Sequence, residues 1–333
     1  MASTAPAKKH ASWVDAAVFV GIYLFFQVIL PAPEPITKSG MGVLGFFFGT
    51  LYMWIRVDFF TAEDLRAEIK KVKSLTDKPF AVNITFLPAS FEPDFDGYIR
   101  VCKEEGVKII ETAGRIPSPE RIAAIKEIGF WMHKCTIVKH ALKAQGVGCD
   151  MIVADGFECA GHPGENDIGS MVLTPAMIKN LKVPVVTAGG VSTGRQMAAA
   201  LMLGAEGVYM GTRFLLTKEC PVLDCVKEQI ASSASEMDTI LMLRSYKNTT
   251  RAYKTAMTES VVAREKEGKP FAEVQPDING GEVRKMFFEN GDVSNKAYIC
   301  VGQSVGLVDS VVSVKDAIEG VMAECVETLS KFN

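Results

Sequence analysis

Basic charge is in short supply. The 333 residues carry 36 Lys and Arg against 39 Asp and Glu, a formal net charge of −3. The basic residues are scattered and form no stripe, so no nucleic-acid partner is expected. Metal-binding sequence is equally scarce. None of the eight cysteines (102, 135, 149, 159, 220, 225, 300 and 325) stands in a C-x-x-C pair, and Cys220 and Cys225 are the nearest neighbours. That spacing argues against a structural zinc site, and no metal is expected. The thiols read as reduced and mostly buried, as in a cytoplasmic protein. Histidine is rare: only His10, His133, His140 and His162 occur.

Apolar residues are plentiful, at 48% of the chain, enough for a large core in one or two domains. Residues 1–60 differ from the rest. Lys8, Lys9 and His10 precede an apolar run, Trp13 to Leu30, broken only by Asp15 and Gln27. The run is long enough to span a bilayer, and the basic residues before it resemble a signal anchor. A buried strand or helix of the domain is the other reading, and a membrane association through residues 13–30 is not the favoured expectation. We therefore divide the chain into an atypical apolar segment, 1–60, and a main domain, 61–333, with a helical insertion at 223–290.

From residue 61 the pattern becomes regular. Thr61 and Asp64 form a capping box, and Leu65, Ile69 and Val72 share a helical face. Strands are expected at 79–87, 107–111, 129–134, 149–154, 183–188 and 206–210. Helices are expected between them, one opened by Ser118-Pro119 and another by Thr174-Pro175. This alternation implies βαβ units and a parallel sheet. Six such units in series favour an α/β fold of the (β/α)8 TIM-barrel type, with a C-terminal helical extension. In such a barrel the chemistry gathers at the C-terminal ends of the strands. Glu111, Lys134, Asp155, Gly189-Gly190 and Gly211-Thr212 are expected at or just past those ends, and Asn83 within a strand.

T-A-G-G-V-S-T-G (187–194) and M-G-T-R-F (210–214) close consecutive strands with small residues. Two such turns, one βα unit apart, make a phosphate grip, and the helix after the first offers N–H groups to an anion. The turn at 187–194 is not a G-x-G-x-x-G fingerprint, so it does not support a Rossmann site. A phosphate-bearing flavin suits the remaining polar groups: Asn83 as a donor, and Lys134 as a positive charge near a reduced ring. Lys134 as an ion-pair partner of Glu111 is the other reading, and the two are compatible. His133 and His140 read as structural. His162, in the glycine-rich loop D-G-F-E-C-A-G-H-P-G (155–164), is placed to take a carbon-bound proton or to hydrogen-bond an anion. The loop itself reads as a lid.

The run H-K-C-T-x-V-x-H-A-L-K-A (133–144), the D-G-F-E-C-A-G-H-P-G-E loop (155–165), the A-G-G-V turn and L-G-A-E-G-V-Y-M-G-T-R-F (203–214) resemble the nitronate monooxygenases, formerly 2-nitropropane dioxygenases. L-R-S-Y-K-N-T-T-R (243–251), G-D-V (291–293) and G-Q-S-V-G-L-V (302–308) also fit. The resemblance implies an FMN-dependent TIM-barrel enzyme that oxidises alkyl nitronates with O2 to a carbonyl compound and nitrite. It implies that His162 is the active-site histidine, and that Asn83, Lys134, Gly189, Gly190, Gly211 and Thr212 hold FMN. Asp155 joins them as a candidate at its strand end. The N-terminus departs from the family pattern. Only I-L-P-A-P-E (29–34) and G-M-G-V-L-G (40–45) echo it, and residues 46–60 look like an insertion or translated intron. Two other readings remain: a flavin-dependent enoyl-thioester (enoyl-ACP) reductase using NAD(P)H, and a non-catalytic flavin-binding remnant.

Overall fold

The computed structural model describes residues 61–333 apart from 76, 78, 88–92, 234, 279–297 and 333. The expectations for residues 1–60 and for G-D-V (291–293) lie outside the described residues. No helix among the described residues is long and apolar enough to cross a membrane.

Thr61 caps the first helix with its side chain. Its Oγ1 accepts from the Asp64 N–H at 3.1 Å and donates to Asp64 Oδ2 at 2.8 Å. Helix α1 (Ala62–Leu75) follows and buries Leu65, Ile69 and Val72. Strands and helices then alternate: β1 (Ala81–Phe86), α2 (Phe95–Glu104), β2 (Ile109–Gly114), α3 (Pro119–Ile128), β3 (Phe130–Cys135), α4 (Val138–Gly146), β4 (Met151–Asp155), α5 (Ser170–Asn180), β5 (Val185–Ala188), α6 (Gly194–Met202), β6 (Gly207–Tyr209) and the single turn α7 (Thr212–Leu215). The six strands pair in chain order and every neighbouring pair is parallel. Helices cover the outer face, as parallel sheets require. The fold is of the TIM-barrel type, with a C-terminal helical extension.

Two element boundaries differ from expectation. Glu111 does not end its strand: β2 runs on to Gly114, and Glu111 pairs in register with Asn83 and Met132. A polar side chain marks the inner face here, not a terminus. Helix α5 starts at Ser170 rather than Thr174, and Pro175 lies inside it. The cap comes from twelve residues upstream: Glu158 Oε2 accepts from the Ser170 N–H at 2.9 Å. Thr174 is buried instead, its hydroxyl 2.9 Å from that of Thr187 on β5.

Strand alternation sorts the core. On β3, Trp131 and Cys135 join the layer between sheet and helices, with Ile110, Ile125, Ile152 and Met177. Met132 points the other way, into an inner cluster with Met151, Val153, Val186 and Ala188. Trp131 Nε1 donates to Thr112 Oγ1 at 2.8 Å, and that hydroxyl lies 2.6 Å from His133 Nδ1. His133 is therefore a buried structural histidine, and burial lowers its pKa to about 4.

The region after α7 was expected to be helical. It contains α8 (Asp224–Ser233) and α9 (Ala256–Lys266), the short α10 (Phe271–Val274), and also an antiparallel hairpin of β7 (Thr239–Met242) and β8 (Thr250–Tyr253). Helix α11 (Val314–Ser330) packs along α6, where Glu324 Oε2 accepts from the Gly194 N–H at 2.7 Å.

Candidate active site

The strand ends surround one cavity of about 1180 Å³. Asn83, Lys134, Asp155, His162, Gly189, Gly190, Gly211 and Thr212 all line it. The structure thus brings together every residue proposed from the sequence for the site.

The floor is electrostatically tense. Glu111 is 3% exposed, and its Oε2 accepts from Asn83 Nδ2 at 2.8 Å. Its other oxygen, Oε1, has no hydrogen-bond partner. Lys134 Nζ stands 3.9 Å from that oxygen and 3.9 Å from the centre of the Tyr209 ring. Burial works against the Lys134 charge, but Glu111, Tyr209 and Asp155 outweigh it and hold the ammonium above its usual range. Burial raises Asp155 against the pull of Lys134, and the carboxyl hydrogen-bonds Cys159. A cation held charged on a water-poor floor is what an anionic ligand ring needs.

The two glycine turns differ. Gly189 has φ +84°, and a Cβ there would stand 2.6 Å from the Gly156 carbonyl oxygen. Gly211 has φ −98°, and a Cβ would meet no protein atom within 4 Å. The space before Gly211 is cavity. Thr212 Oγ1 accepts from the Gly302 N–H at 2.8 Å, and Ser192 Oγ donates to Ser304 Oγ at 2.7 Å. The segment 302–304 therefore backs both turns, and Gly302 and Ser304 line the cavity themselves. The sequence reading gave them no role; their small, polar types were the available signal.

One expectation is corrected here. Most N–H groups at the N-terminus of α6 are already taken within the protein. The Gly194 N–H is taken by Glu324, and those of Ser192 and Thr193 by Gln196 Oε1 at 2.9 and 3.2 Å. An anion grip on this side falls to the turn itself.

The loop carrying His162 is not a free lid either. Gly161 and Arg251 on β8 exchange backbone hydrogen bonds, Gly161 N to Arg251 O at 3.0 Å and Arg251 N to Gly161 O at 2.6 Å. Arg251 Nη2 donates to Phe157 O at 3.0 Å. Glu165 accepts from the Thr249 N–H at 3.1 Å and from its hydroxyl at 2.6 Å. These ties stitch the loop to the hairpin and set the imidazole on the cavity wall. His162 is accessible to solvent but ringed by protein, and this desolvation lowers its pKa against the opposing effects of Asn248 and Glu165. His140, read as structural, is exposed on α4 and lines the same cavity.

The described side chains suit a flavin. They supply open space at Gly211, a polar turn beside it, and a fixed cation in Lys134. The model of the nitronate monooxygenase family matches residues 39–324. The chain belongs to the nitronate monooxygenase family. The match begins at residue 39, inside the segment expected to be atypical. A probable nitronate monooxygenase of Staphylococcus haemolyticus is 31% identical over 246 residues, covering 61% of this chain and 65% of that protein. A (3aS,4S,5R,7aS)-5-hydroxy-7a-methyl-1-oxo-octahydro-1H-indene-4-carboxyl-CoA dehydrogenase of Rhodococcus jostii is 28% identical over 304 residues, covering 81% and 84%. The structure of FabK from Thermotoga maritima superposes with a TM-score of 0.76 at 30% identity, covering 86% of this chain and 90% of that one. Family membership makes this chain a flavin-dependent oxidoreductase.

Proposed function

We propose that the chain is an FMN-dependent nitronate monooxygenase, oxidising alkyl nitronates with O2 to a carbonyl compound and nitrite. The observation that carries this reading is the meeting of His162 with the two small-residue turns and Lys134 around one cavity. FMN would supply the electron transfer between substrate and oxygen. Gly189, Gly190, Gly211 and Thr212 would hold its phosphate, with Asn83, Lys134 and Asp155 around the ring.

The protein's own tasks are proton handling and charge placement. In a neutral nitroalkane, the neutral imidazole of His162 takes the proton from the carbon bearing the nitro group, and the electron pair moves onto the nitro oxygens. The resulting nitronate is an anion, and Lys134 lies on the same cavity floor to offset charge. With a nitronate as the starting substrate no proton need move, and His162 then acts as a hydrogen-bond partner. The lowered pKa of His162 keeps it neutral, the form a base needs.

The domain reading becomes a proposal in the same sense: residues 61–333 carry all the residues assigned here. The test is anaerobic reduction. Propionate 3-nitronate should reduce the bound flavin, and nitrite should appear when O2 is admitted. Rapid reduction by NADPH without any reaction of the nitronate would favour a thioester reductase instead. Protein that takes up no FMN would favour the remnant.

A further inference from the structure

Two side chains that do not border the cavity govern the shape of one of its walls. Glu158 follows β4 on the loop that carries His162, and Ser170 is the first residue of α5. The Glu158 carboxylate grips that serine at two places. Both of its oxygens accept from the Ser170 N–H, at 3.1 and 2.9 Å, and Oε2 lies 2.9 Å from the serine hydroxyl. The hydroxyl has one proton, shared between Glu158 Oε2 and the Gly189 carbonyl oxygen, which stands 2.6 Å away. A chain of contacts thus runs from the histidine loop, through the start of α5, to the turn after β5.

Glycines make room for this clamp. A Cβ on Gly156 would collide with Ser170 Oγ, and one on Gly190 would stand 2.9 Å from Glu158 Cβ. The same loop residue also reaches the far side of the site, where the Glu158 carbonyl accepts from the Gln303 N–H at 2.9 Å.

The anchoring has a direction. In a planar trans peptide the C=O and the following N–H point opposite ways. Holding the Gly189 carbonyl therefore turns the Gly190 N–H away from Ser170. Gln196 does the same one peptide further on. Its Nε2 donates to Gly190 O at 2.6 Å and so turns the Val191 N–H away from Gln196. Gly190 and Val191 both line the cavity, and among the described residues no protein group accepts from either N–H. Two successive donors of this kind suit the oxygens of an anion.

We propose that Glu158 and Ser170 are positioning residues for the phosphate end of the cofactor. They fix the peptide between Gly189 and Gly190 so that its N–H faces the cavity, and they tie that peptide to the loop of His162. The proposal rests on the flavin reading given above.

The test compares FMN with riboflavin, which lacks the phosphate. The full-length chain is loaded with either flavin and diluted serially, and the fluorescence of released flavin gives each Kd. Ser170→Ala removes the hydroxyl but keeps the N–H that Glu158 caps. It should weaken FMN about tenfold, the scale of one hydrogen bond to a charged group, and leave riboflavin unchanged. Ser170→Thr, which keeps a hydroxyl, should restore the preference for FMN. Glu158→Ala should lower that preference in the same way, and should also lower the melting temperature because α5 loses its cap. Ser170→Ala and Glu158→Ala proteins that bind FMN as tightly as wild type overturn the proposal and leave the flavin reading intact. So does an equal loss of FMN and riboflavin, the mark of a merely structural role. Wild-type protein that binds neither flavin overturns the flavin reading, and the proposal with it.

Discussion

The hydroxyl of Thr250 lies 3.4 Å from Nε2 of His162, so a strand far along the chain stands behind the loop imidazole. The contact is long for a hydrogen bond. It works with the backbone bridge between Gly161 and Arg251, which fixes where the loop runs. The hairpin therefore decides what His162 faces.

Replacing the imidazole should separate chemistry from cofactor binding. His162→Ala is expected to retain FMN and to lose roughly 10²-fold in turnover on neutral nitroalkanes, the usual scale for a missing general base. Flavin content by absorbance and steady-state oxygen uptake check both halves.

The acid limb of the rate profile carries the sign of the His162 shift. The base is active when neutral, and burial lowers its pKa. The kcat/KM for a neutral nitroalkane should hold as pH falls to the ordinary histidine value of about 6.5 and decline only below it. An inflection above that value would contradict the burial argument.

The glycine turns should respond oppositely to an added side chain. Gly189→Ala puts a Cβ at φ +84° against the Gly156 carbonyl and should lower the melting temperature. Gly211→Val projects into open cavity, so the fold should hold while FMN affinity falls. Thermal melts with and without added FMN distinguish the two.

The buried carboxylate of Glu111 can be probed in two steps. Glu111→Gln keeps an acceptor for Asn83 and removes the charge facing Lys134. Glu111→Ala also leaves the Asn83 amide without its partner and should cost about 2 kcal/mol more in denaturant unfolding.

His133 makes the fold sensitive to acid. It titrates near 4 when folded and near 6.5 when unfolded, so the unfolded chain binds more protons between those values. Stability should be complete above about pH 6.5 and fall by about 3 kcal/mol as pH drops through about 4. His133→Asn, which still offers Thr112 an acceptor, should flatten that dependence in urea titrations.

Much of this was legible in the sequence because barrel periodicity is local. The six strands, the Thr61 and Ser118 caps and the gathering of Lys134, Asp155 and the glycine turns follow from spacing alone. What escaped depends on distant partners. Glu158 caps α5 from across a loop, which local N-cap signals at Thr174 could not show. Glu324 claims the α6 N-terminus from 130 residues away. The loop looked free because its glycines are visible in sequence and its bridge to Arg251 is not. The hairpin strands β7 and β8 are four residues each, too short to stand out from a helical region.

The most direct test of the central claim is anaerobic mixing of the flavin-loaded protein with propionate 3-nitronate, followed by absorbance. The account predicts loss of the oxidised flavin spectrum on mixing, then its return with release of nitrite when O2 is admitted. A spectrum untouched by the nitronate but rapidly bleached by NADPH would contradict it.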